Sequence, residues 1–83
     1  MNRSGVYALI NAERARQSVK WGSAHAWGAG DCSSPAVEPI VKAAVLGEEC
    51  GEVARAVLDY DPEQTLRELV QVAAVAVAWL EAL

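Results

Sequence analysis

The chain has 83 residues, of which 53% are hydrophobic, and a formal net charge of −4 at pH 7. A chain of this length forms one domain, here residues 1–83, and buries only about 60% of the surface that it exposes when unfolded, so its own core is small. The acidic balance argues against general binding of nucleic acid, and no apolar run reaches the roughly 18 residues that a membrane span needs.

The chain has too few cysteines and histidines for the disulfide bonds or the structural zinc site that often stabilise a small fold. Cys32 and Cys50 are the only cysteines, which predicts reduced thiols and no disulfide framework. With His25 as the single histidine, a zinc site of Cys and His is one ligand short. The first residues lack the apolar segment of a signal peptide. We therefore expect a cytoplasmic protein without structural zinc.

Charge is unevenly distributed along the chain. Residues 1–25 carry four basic side chains and one acidic side chain, whereas residues 26–83 carry three basic and ten acidic ones. Such a division suits a ligand that combines a metal ion with phosphate, because carboxylates hold the cation while Arg or Lys meets the phosphate oxygens.

The first predicted helix covers about Gly5 to Val19, with Ser4 as its N-cap and apolar side chains at helical spacing. The segment that follows, GSAHAWGAGDCSSP, is rich in Gly and Ser and is predicted to be a loop. Long loops without periodicity are often functional. This one carries or adjoins three aromatic side chains, Trp21, His25 and Trp27.

Two further helices are predicted in the rest of the chain. The second begins near Val37, with Pro39 in its first turn, and ends at about Leu58. Asp61 is then the predicted N-cap of a third helix, Pro62 to Glu81, in a capping-box pattern. Because the connection is short, the second and third helices should be antiparallel neighbours. The sequence predicts an all-α domain of three helices.

The third predicted helix has apolar residues on two faces, so it should be buried on both. One stripe contains Leu66, Leu69, Val70, Ala73, Val77 and Leu80, and the other contains Val72, Val75, Ala76 and Trp79. We expect the second helix to cover one face and another copy of the chain to cover the stripe that ends at Trp79. Oligomerisation would then complete a four-helix bundle.

Acidic residues on these two helices are the main candidates for chemistry. Glu48, Glu49 and Glu52 share one arc of the second helix, where like charges repel. Glu68 lies in line with the apolar stripe of Trp79, so its carboxylate must be solvated, paired or bound to a cation. Facing helices can combine such acids into a site for a hard cation such as Mg²⁺. The alternative is that the acids of the second helix form a solvated face.

Several sequence motifs resemble one enzyme family. The pattern E-E-x-x-E at residues 48–52, followed by Glu68 and Gln71, resembles the all-α nucleoside triphosphate pyrophosphatases, the MazG-like family. The segments ERARQSVKWG at 13–22, HAWG at 25–28 and ELVQVAAVAVAWLEAL at 68–83 are similar to a small MazG-like branch found in phages and bacteria. The resemblance covers nearly the whole chain.

The resemblance implies Mg²⁺-dependent cleavage of a (deoxy)nucleoside triphosphate between its α and β phosphates, in a dimer or tetramer. It implies metal ligation by Glu49, Glu52 and Glu68, with Mn²⁺ as a possible substitute for Mg²⁺. Glu48 and Glu49 are the implied catalytic residues, Glu48 orienting the attacking water or a ligand. The family's fourth metal ligand is Asp, and Gln71 stands in its place, leaving a carbonyl oxygen as the possible ligand but removing one charge.

Substrate-binding residues are predicted from charge and from the loop. The candidate cations for the polyphosphate are Arg14, Lys20 and Arg55, with ordinary surface charge as the alternative. The candidates for contact with a base are Trp21 and Trp27 by stacking and His25 by hydrogen bonding, with a lid packed on the core as the alternative.

Three functions are consistent with these observations. The first is a MazG-like nucleotide pyrophosphohydrolase. The second is a non-catalytic oligomeric module that binds nucleotides or another partner with the same fold, which the change to Gln71 suggests. The third is phosphoribosyl-ATP pyrophosphatase, which shares the helical fold and the acids.

Overall fold

The computed structural model describes residues 1–83 and contains three long helices, α1 (Arg3–Lys20), α2 (Pro39–Leu58) and α3 (Pro62–Glu81). Between α1 and α2, the strands β1 (Ala24–His25) and β2 (Gly28–Ala29) form a two-residue antiparallel hairpin in the segment that was predicted to be a loop. The predicted all-α fold is confirmed, because these two short strands are the only β structure.

The helix starts follow from their capping residues. α1 begins two residues earlier than predicted because Asn2, rather than Ser4, is the N-cap, and its Oδ1 accepts a hydrogen bond from Gly5 N at 2.8 Å. α3 begins as predicted, with Asp61 Oδ1 accepting from Gln64 N at 3.0 Å. Each side chain satisfies a backbone N–H that has no partner within the helix.

The second helix starts later than its composition suggested. Pro39 rather than Val37 is its first residue, and Glu38 is an N-cap that makes no side-chain capping bond. Pro39 fits the first helical position because its missing N–H needs no partner there. Val37 instead lies in the preceding segment, where it is 4% exposed and contributes to the core.

α3 is the central helix of the fold. It packs against both α1 and α2, whereas no Cα atom of α1 comes within 8 Å of a Cα atom of α2. The first residues of α1 lie beside Leu66 and Leu69 at the start of α3, and Arg14 reaches Glu81 at its end, so α1 and α3 run parallel. α2 is antiparallel to α3, as the short connection predicted.

The two apolar stripes of α3 differ in how far the chain's own helices cover them. Val75 is only 4% exposed and Trp79 is half-buried within the single chain, so the stripe of Val72, Val75, Ala76 and Trp79 is largely covered already, and its contact with another subunit stays a prediction. Leu66, Leu69 and Leu80 of the other stripe are exposed. Spacing showed that two faces were apolar but could not show which of them the neighbouring helices would cover.

An apolar hollow lies between the first halves of α1 and α3. Its volume is about 230 Å³, and all eight residues that line it are hydrophobic: Met1, Val6, Leu9, Ile10, Leu66, Leu69, Val70 and Ala73. On α2, Ile40, Val57 and Leu58 are also exposed. None of the three helices has both the length and the apolar character that crossing a lipid bilayer requires.

Candidate metal centre

Three carboxylates from two helices converge in the structure. Glu49 and Glu52 lie one turn apart on α2, and Glu68 lies on α3. One oxygen from each side chain lies within 4.8 Å of the other two. Glu68 is 4% exposed, Glu49 is half-buried and Glu52 is exposed, so the group lies at the edge of the core. The structure thus brings together the three acids that the sequence singled out as metal ligands.

Mutual repulsion changes the proton affinity of this carboxylate group. Burial and the nearby charges of Glu52 and Glu68 raise the pKa of Glu49 to about 7, and Glu48 adds a smaller effect. Close carboxylates cannot all ionise readily, since each negative charge disfavours the next. A divalent cation would relieve that repulsion and replace the proton.

Gln71 lies in the same group of side chains. Hydrogen bonding favours the orientation of its amide in which the nitrogen, rather than the oxygen, faces the acids. Nε2 then donates to Glu49 Oε2 at 2.7 Å and to Glu68 Oε2 at 3.3 Å. The opposite orientation would place a carbonyl oxygen against two carboxylates. In this arrangement Gln71 is a hydrogen-bond donor to the acids, and ligation of a metal by its carbonyl oxygen stays a prediction.

A second glutamine orients Glu68 from the other side. Gln64 Nε2 donates to Glu68 Oε1, and Gln64 Oε1 accepts from Arg67 Nη2 at 2.8 Å. The capping-box pattern had predicted that the Gln64 side chain returns to the N-cap backbone, but it turns inward to the buried acid instead. None of the four ion pairs of the chain involves Glu49, Glu52 or Glu68. Amides therefore hold Glu49 and Glu68, and none of the three acids has a direct cationic partner.

Glu48 lies outside this convergence. Its side chain is exposed, and its carboxylate is not among the oxygens that meet. Its charge nevertheless acts on Glu49. Glu48 thus lies beside the three converging carboxylates and not among them, and its role toward an attacking water stays a prediction.

Arg16 lies within Coulomb range of Glu49, although the sequence had not singled it out. Its guanidinium donates to both carboxylate oxygens of Glu13, from Nε to Oε1 at 2.9 Å and from Nη2 to Oε2 at 2.5 Å. Hydrogen bonds that Arg16 donates to Glu13 raise the pKa of Arg16, and the charge on Glu49 adds a smaller effect in the same direction. The i, i+3 spacing of Glu13 and Arg16 was the only signal in the sequence.

Arg14, which was predicted to meet the polyphosphate, is engaged elsewhere. Its Nη1 donates to Asp31 Oδ2 at 2.7 Å and its Nη2 donates to Glu81 Oε2 at 2.7 Å. Burial of Asp31 opposes ionisation, but hydrogen bonds from Ser33 and Arg14 outweigh it and lower its pKa to about 2. With two carboxylates on one guanidinium, Arg14 ties the loop and the end of α3 to α1, and a contact of Arg14 with phosphate stays a prediction.

The other two predicted cations make only weak contacts. Lys20 Nζ lies 5.3 Å from the centroid of the Trp21 ring. Arg55 Nη1 is 3.9 Å from Asp59 Oδ1 on the exposed side of α2. Neither side chain contacts the three acids, so a role for either in binding a phosphate stays a prediction.

The aromatic residues of the loop form a small exposed group. The His25 ring lies 5.6 Å from the Trp21 ring and 6.2 Å from the Trp27 ring, between centroids. Trp21 and Trp27 are 39% and 60% exposed, so Trp27 does not pack down as a lid on the core. Stacking of either Trp on a base stays a prediction.

His25 is already hydrogen-bonded within the loop. Its Nδ1 accepts from Trp27 N at 3.2 Å, which leaves Nε2 as the donor to Gly30 O at 2.8 Å. Both ring nitrogens therefore have partners within the loop, and hydrogen bonding of His25 to a base stays a prediction. Gly28 fixes the hairpin, because at φ 134° a Cβ there would lie 2.3 Å from Ala36 O.

Comparisons with known proteins add no relationship to this description. No protein-family model, curated protein or solved structure gives a significant match to the chain. The resemblance to the MazG-like family accordingly rests on the motifs, and the candidate site rests on its geometry.

Proposed function

We propose that the chain is a Mg²⁺-dependent nucleoside triphosphate pyrophosphohydrolase that releases a monophosphate and pyrophosphate. The observation that carries the proposal is the convergence of Glu49, Glu52 and Glu68, whose ligand oxygens lie within 4.8 Å of one another. The motifs that resemble the MazG-like family provide the substrate class. The proposed substrate is a (deoxy)nucleoside triphosphate of the cytoplasm rather than a nucleic acid.

The donor set fits a hard divalent cation. Mg²⁺ prefers oxygen ligands and is commonly held by one or two carboxylates together with phosphate oxygens, and Mn²⁺ accepts the same donors. The three acids have no cationic side chain of their own, and burial with mutual repulsion raises the pKa of Glu49 to about 7. When bound, Mg²⁺ supplies positive charge to phosphate oxygens and acidifies water.

The chain's own residues have separate tasks in this proposal. Glu49, Glu52 and Glu68 hold the cation, and Gln64 orients Glu68 through a hydrogen bond. Glu48 is exposed beside them and is positioned to accept a proton from water. Arg16, fixed by Glu13 and within Coulomb range of Glu49, takes the phosphate-binding role first predicted for Arg14.

Self-association is part of the proposal. The apolar hollow of about 230 Å³ between α1 and α3 is lined only by hydrophobic residues, and Leu66, Leu69 and Leu80 are 44%, 51% and 67% exposed. Contiguous apolar surface of this kind usually marks an interface. A second copy would cover these residues in a dimer or tetramer, which completes a helical bundle around α3.

One observation favours the alternative of a non-catalytic nucleotide-binding or interaction module. Gln71 donates hydrogen bonds to Glu49 and to Glu68, so an amide partly satisfies the carboxylates that a metal would otherwise satisfy. A module of this kind would keep the fold and the acids without turnover.

Two measurements test the proposal. Pyrophosphate release from a panel of ribo- and deoxynucleoside triphosphates, with and without Mg²⁺, distinguishes the enzyme from the non-catalytic module. The panel should include phosphoribosyl-ATP. Calorimetric titration with Mg²⁺ should show affinity at least about tenfold weaker in Glu52→Gln and Glu68→Gln, because each loses a charged ligand.

Glu63→Gln is the matched control, since Glu63 is an exposed acid in the first turn of α3 outside the convergence. Its Mg²⁺ affinity should equal that of the unmodified chain. Equal affinity in all three variants would show that the carboxylates do not form a metal site. Mg²⁺ binding without pyrophosphate release from any nucleotide would favour the non-catalytic module.

A further inference from the structure

Lys42 is buried on α2 without a partner. It is 4% exposed, as little as Val37 and Val75 of the core. Its ammonium takes part in none of the ion pairs and side-chain hydrogen bonds of the chain. Lysine is almost never this buried unless it is paired, because removing an unpaired charge from water is unfavourable.

The end of the side chain nevertheless reaches the surface. Every side-chain nitrogen or oxygen that is fully shielded from solvent has a hydrogen-bond partner in this structure. Because Lys42 Nζ has none, it must retain some contact with solvent. The apolar stem is therefore covered while the ammonium lies at an opening.

No carboxylate in the adjoining loop neutralises this charge. Burial and the charge of Asp31 raise the pKa of the Cys32 thiol, and the charge of Lys42 opposes this rise, which is consistent with an ammonium on the side of α2 that adjoins the loop. Glu38, one turn before Lys42, makes no ion pair with it, and Asp31 has both of its oxygens engaged. Oδ1 accepts from Ser33 and Oδ2 accepts from Arg14.

Lys42 also has a defined relation to the three acids. It precedes Glu49 by seven residues, which is two turns and about 10 Å along the same face of α2. A ligand held at the acids can reach this ammonium only if it is extended. It would also need a negative charge at the distant end, since the ammonium offers three donors and no acceptor. A phosphate chain has both properties.

We propose that Lys42 is a second anchoring point of the site and binds a phosphate oxygen of the ligand whose cation is held by Glu49, Glu52 and Glu68. The inference rests on the proposed function only in taking those acids as the metal site. It requires no hydrolysis, so binding and turnover can succeed or fail independently.

Inorganic tripolyphosphate with Mg²⁺ is the probe, titrated by calorimetry. Lys42→Met should bind it about 10- to 100-fold more weakly, the range expected for a lost charge-assisted hydrogen bond. Lys42→Arg should retain part of the affinity because it keeps the charge. Arg3→Gln is the control for net charge, since Arg3 is exposed at the start of α1.

Thermal unfolding without ligand provides an independent readout. Lys42→Met should keep or raise Tm, because Met fills a similar volume and the ammonium makes no ion pair or hydrogen bond that would be lost. A lowered Tm would overturn the proposal by showing that the ammonium is already satisfied in the free protein. Tripolyphosphate affinity that is unchanged in Lys42→Met, or undetectable in the unmodified chain, would also overturn it.

Sedimentation tests the remaining partner for the ammonium. If Lys42→Met changes the oligomeric state and leaves tripolyphosphate affinity intact, the partner is a carboxylate of another copy and the proposal is wrong. Lys42-dependent binding without pyrophosphate release from any nucleotide would support the anchoring role while refuting the enzyme. Pyrophosphate release that is the same in Lys42→Met as in the unmodified chain would refute the anchoring role while supporting the enzyme.

Discussion

Replacing Glu49 by Gln should change how the stability of the metal-free protein depends on pH. Burial and the charges of Glu52 and Glu68 raise the pKa of Glu49 from 4.5 to about 7 in the folded chain. Between these values the folded state binds more protons than the unfolded state. The contribution of Glu49 to stability is therefore fully present below pH 4.5 and is lost as pH rises through 7.

The size of this fall follows from the same pKa values. The rise from 4.5 to about 7 corresponds to an upper limit of about 3.4 kcal/mol. Because the Glu49 carboxyl is only partly buried, solvent screening reduces the expected loss to about 1–2 kcal/mol. Glu49→Gln has no ionisable group at this position, so it should be more stable than the unmodified chain at pH 8 by about this amount.

Urea unfolding in the presence of a chelator, at intervals from pH 5 to pH 8, measures the effect. Asp31, whose pKa is lowered to about 2, affects stability only below this range. Saturating Mg²⁺ should restore stability at pH 8 in the unmodified chain more than in Glu49→Gln. Parallel pH profiles for the two proteins would refute the reasoning.

Three further predictions concern neighbouring features. Gln71→Asp should raise Mg²⁺ affinity by adding a charged ligand beside Glu49; equal or weaker binding in a titration without nucleotide would exclude Gln71 from the metal site. Leu69→Glu should dissociate an oligomer without unfolding the chain, because Leu69 is 51% exposed, whereas Trp79→Ala should destabilise the fold itself by about 3–5 kcal/mol. Sedimentation together with circular dichroism distinguishes loss of the oligomer from loss of the fold. An unchanged oligomer in Leu69→Glu would exclude this surface as the interface. Arg14→Ala should lower the urea-unfolding free energy by about 3–5 kcal/mol, since it strands the largely buried carboxylate of Asp31, and a loss under 1 kcal/mol would show that the pair is not structural.

Apolar spacing and capping chemistry were sufficient to predict the helices. The third helix was predicted with its observed limits because Asp61 and Pro62 fix its start, independently of any tertiary contact. The same local signals failed by two residues at Ser4 and Val37, where an earlier cap and a later proline determine the start. The all-α fold thus follows from the sequence, with small errors at helix ends.

The convergence of three of the acids could also be predicted from the sequence. Glu49 and Glu52 had to share a face of one helix, and the short connection had to turn the next helix back along it, so Glu68 could meet them. Local spacing could not separate Glu48 from this group, because all the acids of α2 lie within one arc. The direction in which each carboxylate points depends on the packing of α3.

Tertiary structure alone decided the partners of the polar and apolar side chains. Arg14 and Arg16 are two residues apart, yet one is held by Asp31 and Glu81 and the other by Glu13 within its own helix. A helix of 3.6 residues per turn points such neighbours in different directions, and only the position of α1 beside α3 determines what each meets. Likewise, which stripe of α3 remains exposed depends on the sides that α1 and α2 occupy, and periodicity carries no information about those sides.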